Sequence, residues 1–143
     1  MPMYPEQFIA PMRAELTSIG FKELRTASEV DDAVRKGQGT ALLVVNSMCG
    51  CAASNARPGV TRALKHAVRP DQLLTVFAGQ DPEATRQARS YIPGYAPSSP
   101  SIALLKDGQL VYMMERWQIE GRDAGEIAAD LAAAFDKYCG AVV

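Results

Sequence analysis

Apolar positions first recur at helical spacing: Phe8, Ile9, Met12, Leu16 and Ile19 share one side of a helix that Gly20 ends. A short strand is expected over 21–24. Ser28 followed by Asp31 reads as a capping box with the shorter acid, opening a helix that Gly37 and Gly39 close. The pattern then changes period. Residues 40–45 are continuously apolar or β-branched, as in a strand covered on both faces, and such strands belong to sheets sandwiched between helices. Residues 52–68 are mostly helix-forming, and Pro58-Gly59 is expected to kink or restart that helix because proline lacks an N–H and clashes with the preceding turn.

A second buried strand is expected over 73–78. Asp81-Pro82-Glu83 then marks a helix start, with an acid at the N-cap and proline in the first position; the helix is expected to end near 89–91. Residues 93–100 form a proline- and glycine-rich loop. Two further apolar runs, 101–105 and 109–114, flank Lys106-Asp107-Gly108, whose Asp-Gly pair signals a tight turn and an antiparallel hairpin. Asp123 caps a last helix in which Ile127, Leu131, Ala134, Phe135 and Tyr138 form one stripe. This order predicts an α/β layer fold: a central mixed sheet flanked by helices, with an extra N-terminal helix, forming a single domain over 1–143.

Composition narrows the classes of function. The chain has 143 residues, 48% of them hydrophobic, enough to bury a core without crosslinks or metals. Fifteen basic against sixteen acidic residues leave a net charge of -1, which provides no electrostatic footprint for nucleic acid or an anionic membrane. No basic segment followed by an apolar one opens the sequence, and no apolar run reaches membrane-spanning length, so a cytoplasmic location is expected. Three cysteines do not make a secreted disulfide framework, and in a reducing compartment a close pair points to catalysis or metal binding.

That pair is Cys49-Gly50-Cys51, set between the apolar strand and the next helix. A thiol at such a junction faces unpaired backbone N–H groups, which favour thiolate over thiol. With a second thiol two positions on, the first can attack a disulfide sulfur and the second can displace the partner. Cys49, the outer thiol, is expected to attack, and Cys51, closer to the packed helix, to resolve. A disulfide closed across a single residue departs from relaxed geometry; strain of about 1.4 kcal/mol raises a two-electron potential by roughly 30 mV, giving a comparatively oxidising pair.

The same residues admit other readings. The two cysteines can be buried hydrophobes, or zinc ligands with His66 and Cys139, although no paired metal motif accompanies them. A redox-sensing module whose CxC state controls a protein partner is the alternative to an enzyme. His66 reads as a solvated helix residue, Cys139 as a packed or surface thiol, and Trp117 as core or hairpin surface. Arg57, near the thiols in sequence, is expected to attract the carboxylates of a small thiol.

The run Val45-Asn46-Ser47-Met48-Cys49-Gly50-Cys51-Ala52-Ala53-Ser54-Asn55-Ala56-Arg57-Pro58-Gly59 closely resembles the bacilliredoxin family, also described as thiol–disulfide isomerases of thioredoxin-like fold. Pro11-Met12-Arg13-Ala14-Glu15-Leu16-Thr17, Pro97-Ser98-Ser99-Pro100-Ser101 and Ile119-Glu120-Gly121 extend the resemblance over nearly the whole chain. It implies removal of bacillithiol, or a similar small thiol acting as substrate and not as a cofactor, from mixed disulfides on proteins: Cys49 takes the small thiol onto itself and Cys51 resolves it. It also implies a cis-proline facing the thiols; Pro100, preceded by Ser99, is the matching position. With one residue between its cysteines and no tryptophan before the first, the chain departs from ordinary thioredoxins, away from strong general reduction.

Overall fold

Residues Thr40–Asn46 form the central strand, β2, buried at every position. The structure, a computed structural model, describes residues 4–36 and 39–140. Strand β2 pairs in parallel with β3 (Gln72–Phe77) and antiparallel with β4 (Ser101–Lys106); β4 continues into β5 (Gln109–Met114), and β1 (Lys22–Glu23) lies parallel to β3 at the far edge. The sheet order is therefore β1-β3-β2-β4-β5. The mixed sheet, the two buried strands and the hairpin are as the sequence pattern predicts. Asp107 and Gly108 take φ of 50° and 80°, the left-handed pair that a two-residue hairpin turn requires.

Alternation along β2 divides the core. Leu42 and Val44 face α3 (Arg57–Ala63) and α6 (Ala124–Tyr138), where they meet Val60, Ile127, Leu131 and Phe135. Ala41, Leu43 and Val45 face α2 (Ala27–Lys36) and α4 (Pro82–Arg89), against Val30, Val34, Ala84 and Ala88. Close packing sets the α3–α6 distance: a Cβ on Gly59 would stand 2.6 Å from Ile127 Cγ2.

Local details differ from the sequence pattern where tertiary contacts compete for a side chain. Helix α1 spans Glu6–Thr17 and buries Ile9, Arg13 and Leu16, leaving Phe8 61% exposed. Arg13 takes the inner stripe because its charge is met there by Glu6 and Asp81 and by the face of Phe77. Helix α2 is capped by Thr26 and Glu29, not by Ser28 and Asp31: Thr26 Oγ1 accepts the Glu29 N–H, and Glu29 Oε1 accepts the Thr26 N–H. Of the two glycines expected to close it, Gly39 has φ of 92°, whereas Gly37 lies outside the described residues.

Asp81 stands at the N-cap of α4 without a side-chain cap bond, since its carboxylate accepts from Arg13 at 2.7 Å. Asp123 does cap α6, reciprocally with Glu126. Pro58 does not break its helix. A wide π-turn over Ala52–Ala56 comes first, the Arg57 N–H bonds back to Ala52 O, and Pro58 falls in the first turn of α3, where no donor is required of it. That helix ends at Ala63, short of the expected 68, and the chain turns toward β3. A short α5, Arg116–Ile119, has no counterpart in the sequence reading.

Candidate active site

Ser47, Met48 and Cys49 connect the end of β2 to the helical turn that begins at Gly50. Cys49 O accepts the N–H groups of Ala52 and Ala53, at 3.1 and 3.3 Å, so the thiol sits at the mouth of this helical segment. Ser47 folds back on it. The Ser47 hydroxyl donates to Cys49 Sγ at 3.3 Å while accepting the Cys49 N–H at 3.3 Å.

Beneath this connection lies Arg57, only 2% exposed. Its Nη1 donates to Asn46 Oδ1 and to Ser47 O, both at 2.9 Å, and its Nε to Glu15 Oε1 at 3.0 Å. Asn46 Oδ1 in turn accepts the Ser47 N–H at 2.9 Å. The expectation that Arg57 binds a small thiol is therefore corrected: it is buried, lies outside the cleft lining and spends Nε and Nη1 inside the protein, where it holds the turn bearing Ser47 and Cys49. The reason is positional, because residue 57 opens α3 on the face turned toward α1 and the end of β2.

The two thiols differ in environment. Burial opposes ionisation of Cys49, but hydrogen bonds from Ser47 and from the N–H groups of Ala52 and Cys51, with the positive field of Arg116, bring its pKa below the ordinary thiol value. Burial pushes the Cys51 thiol up, and the negative charges of Cys49 and Glu120 push it further. Cys51 packs against the α3–α6 core, whereas Cys49 lines an open cleft of about 290 Å³. No atom approaches the position a Gly50 Cβ would occupy, so the link between them is unobstructed.

Ser99 and Arg116 close the other side of the cleft. The Ser99-Pro100 peptide is cis, and Arg116 Nη1 donates to Ser99 O at 3.2 Å while its Nε meets Glu120 at 2.5 Å. Cys49 and Ser99 thus line one cleft; Cys51 stands beside Cys49, and Pro100 lies buried behind Ser99. His66 does not join them; it pairs with Asp136 at 2.8 Å. Cys139 lies beside Thr40, at the opposite end of β2, about 20 Å away along a strand of seven residues. All three cysteines are free thiols.

Two contributors to the site escaped the sequence reading. Ser47 had a usable signal, a hydroxyl two positions before the first thiol. Arg116 had none, because it reaches the thiols only through the β4–β5 hairpin and α5.

The sequence matches the family model of disulphide isomerases over residues 4–139. The chain belongs to the disulphide isomerase family. Among its relatives, a bacilliredoxin of Koribacter versatilis is 60% identical over 139 residues, 97% of this chain and 96% of the other. A bacilliredoxin of Staphylococcus haemolyticus is 50% identical over 137 residues, 96% and 94% of the two chains. In fold the protein is similar to the thioredoxin of Fasciola hepatica, with a TM-score of 0.59 at 18% identity, over 82% of this chain and 99% of that one. The yeast mitochondrial thioredoxin 3 matches with a TM-score of 0.59 at 15% identity, over 86% and 98%. The resemblance to bacilliredoxins and the thioredoxin-like fold are thereby borne out. Family membership and the paired thiols together make this disulphide isomerase relative a thiol–disulfide oxidoreductase. Among the described residues no helix is long and apolar enough to cross a membrane.

Proposed function

We propose that the protein removes a low-molecular-weight thiol, bacillithiol or a close analogue, from mixed disulfides on other proteins in the cytoplasm. The observation that carries this reading is the unequal placement of the two thiols: Cys49 opens to the cleft and accepts a hydrogen bond from Ser47, whereas Cys51 packs behind it against the core. The Cys49 thiolate attacks the small thiol's sulfur, the S–S bond to the client breaks, and the client leaves as a thiolate that takes a proton from water. A new disulfide now joins Cys49 to the small thiol. Cys51, its proton given up to solvent, attacks Cys49 Sγ; the small thiol departs with the electron pair and a Cys49–Cys51 disulfide remains. An external thiol reductant supplies two electrons to reset the pair.

The electrons pass between sulfurs throughout, so the reading calls for no resident cofactor or metal. Attack of Cys49 on a client's own disulfide, followed by attack of another client cysteine, would be isomerisation by the same groups. Ser99, set by the cis peptide to Pro100, presents the opposite wall to the incoming disulfide.

The test uses a protein carrying the small thiol as a mixed disulfide. Cys51→Ser is expected to accumulate one small-thiol adduct on Cys49, seen by intact mass, while Cys49→Ser gains none and leaves the client thiolated. Absence of the adduct on Cys51→Ser, with the client unchanged by the wild type, would overturn the assignment.

A further inference from the structure

Beside the thiol cleft lies a second groove of about 370 Å³, walled by Pro82, Thr85, Arg86, Arg89 and Pro97, and Gly79 lines both. Arg86 and Arg89 are three positions apart on α4 and so share a face. Arg89 is incompletely satisfied. Its Nε is buried with no hydrogen-bond partner, and Nη2 makes one long bond, 3.4 Å, to Ser98 O. Burial alone lowers its pKa, the mark of a charge held without a counter-charge. A desolvated, unpaired guanidinium is costly, and an anion seated in the groove would offset that cost.

The acids closest in sequence are otherwise engaged. Asp81 meets Arg13 at 2.7 Å and Glu83 accepts the Ala27 N–H at 3.1 Å. Prolines form two of the walls and offer no backbone N–H, and the Thr85 hydroxyl is engaged by Phe77 O and Asp81 O, leaving the guanidinium groups as the charged donors of the groove.

Position tells what kind of anion fits. Cys49, Ser99 and Arg116 belong to the first cleft and not to the second. A carboxylate a few bonds from the reacting sulfur stays near Arg116. Because Gly79 lines both clefts, an extended polypeptide, advancing about 3.3 Å per residue, passes from the first into the second within a few residues of its cysteine.

We propose that Arg86 and Arg89 form a subsite for an acidic side chain of the client protein, a few residues from the cysteine whose disulfide is exchanged. The proposal rests on the reading of Cys49 as the attacking thiol, and its test separates the two. Peptides are made with one cysteine and with either Asp and Glu or Asn and Gln two to four residues away. Each is capped as a mixed disulfide with cysteamine or with mercaptosuccinate, and kcat/KM is measured.

The wild type is expected to favour the acidic peptide by about fivefold at low ionic strength under either cap, a ratio that falls as salt is added. In Arg86→Gln and in Arg89→Gln the ratio of acidic to neutral moves toward one. Arg86 is exposed, so its variant reports even where Arg89→Gln fails to fold. Equal rates for the two peptides in the wild type, a ratio unchanged in Arg86→Gln, or a preference that follows the cap instead of the peptide would each overturn the subsite while leaving the exchange chemistry intact. Release of no cap from any peptide would overturn both.

Discussion

A hydroxyl two residues before Cys49 favours ionisation of its sulfur against the cost of burial. Ser47 donates to Cys49 Sγ, and Ser47 is itself fixed by Asn46 and the buried Arg57. Hydrogen bonds to a charged acceptor are stronger than those between neutral groups, so this contact favours the thiolate selectively. In a Cys51→Ser background, Ser47→Ala is expected to raise the Cys49 pKa and slow its alkylation at neutral pH by about threefold to tenfold. The midpoint is followed by the ultraviolet absorbance of the thiolate. An unchanged midpoint would remove Ser47 from the site. The paired cysteines were legible in the sequence because spacing alone brings two near neighbours together. The role of Arg57 was not, because the direction of its side chain depends on the helix it opens.

Elements are joined along α1 by a cluster of charge. Around the Arg13 guanidinium stand Glu6 at 2.8 Å, Asp81 at 2.7 Å and Glu23 of β1 at 3.1 Å, tying α1 to β1 and to the start of α4. Burial, only partly offset by Arg13, raises the Glu23 pKa from an ordinary 4.5 to about 7. The folded state then binds more protons than the unfolded chain between those two values, so this group's contribution falls as pH rises through the window and is constant above it. Glu23→Gln keeps the neutral shape at every pH. Its Tm relative to the wild type is expected to climb from about pH 4.5 to about pH 7 and then to level off. A difference independent of pH would show that Glu23 titrates normally. The cluster explains why pattern alone misplaced the inner face of α1: apolar periodicity put Phe8 inward, but a buried arginine with three acids took the stripe.

At the scale of the whole molecule, β2 is the strand on which both halves of the core depend, buried on its two faces and paired along both edges. Amide exchange at Leu42, Leu43, Val44 and Val45 is therefore expected to require global unfolding, with a denaturant dependence equal to that of the whole domain, whereas β1 exchanges through local opening. Faster, denaturant-independent exchange in β2 would contradict that hierarchy. The strands, the hairpin and the last helix were written locally, in runs of apolar residues, an Asp-Gly turn and an Asp123 cap, since each is decided by neighbours within a few positions. So was the chemistry of the CxC pair, because proximity along the chain guarantees proximity in space. Tertiary structure alone decided which cation serves the thiols. Arg57, six residues from Cys51, is consumed inside, while Arg116 arrives from the segment that follows the edge strand β5. Long-range charge placement follows from strand order and helix direction, which no local pattern encodes.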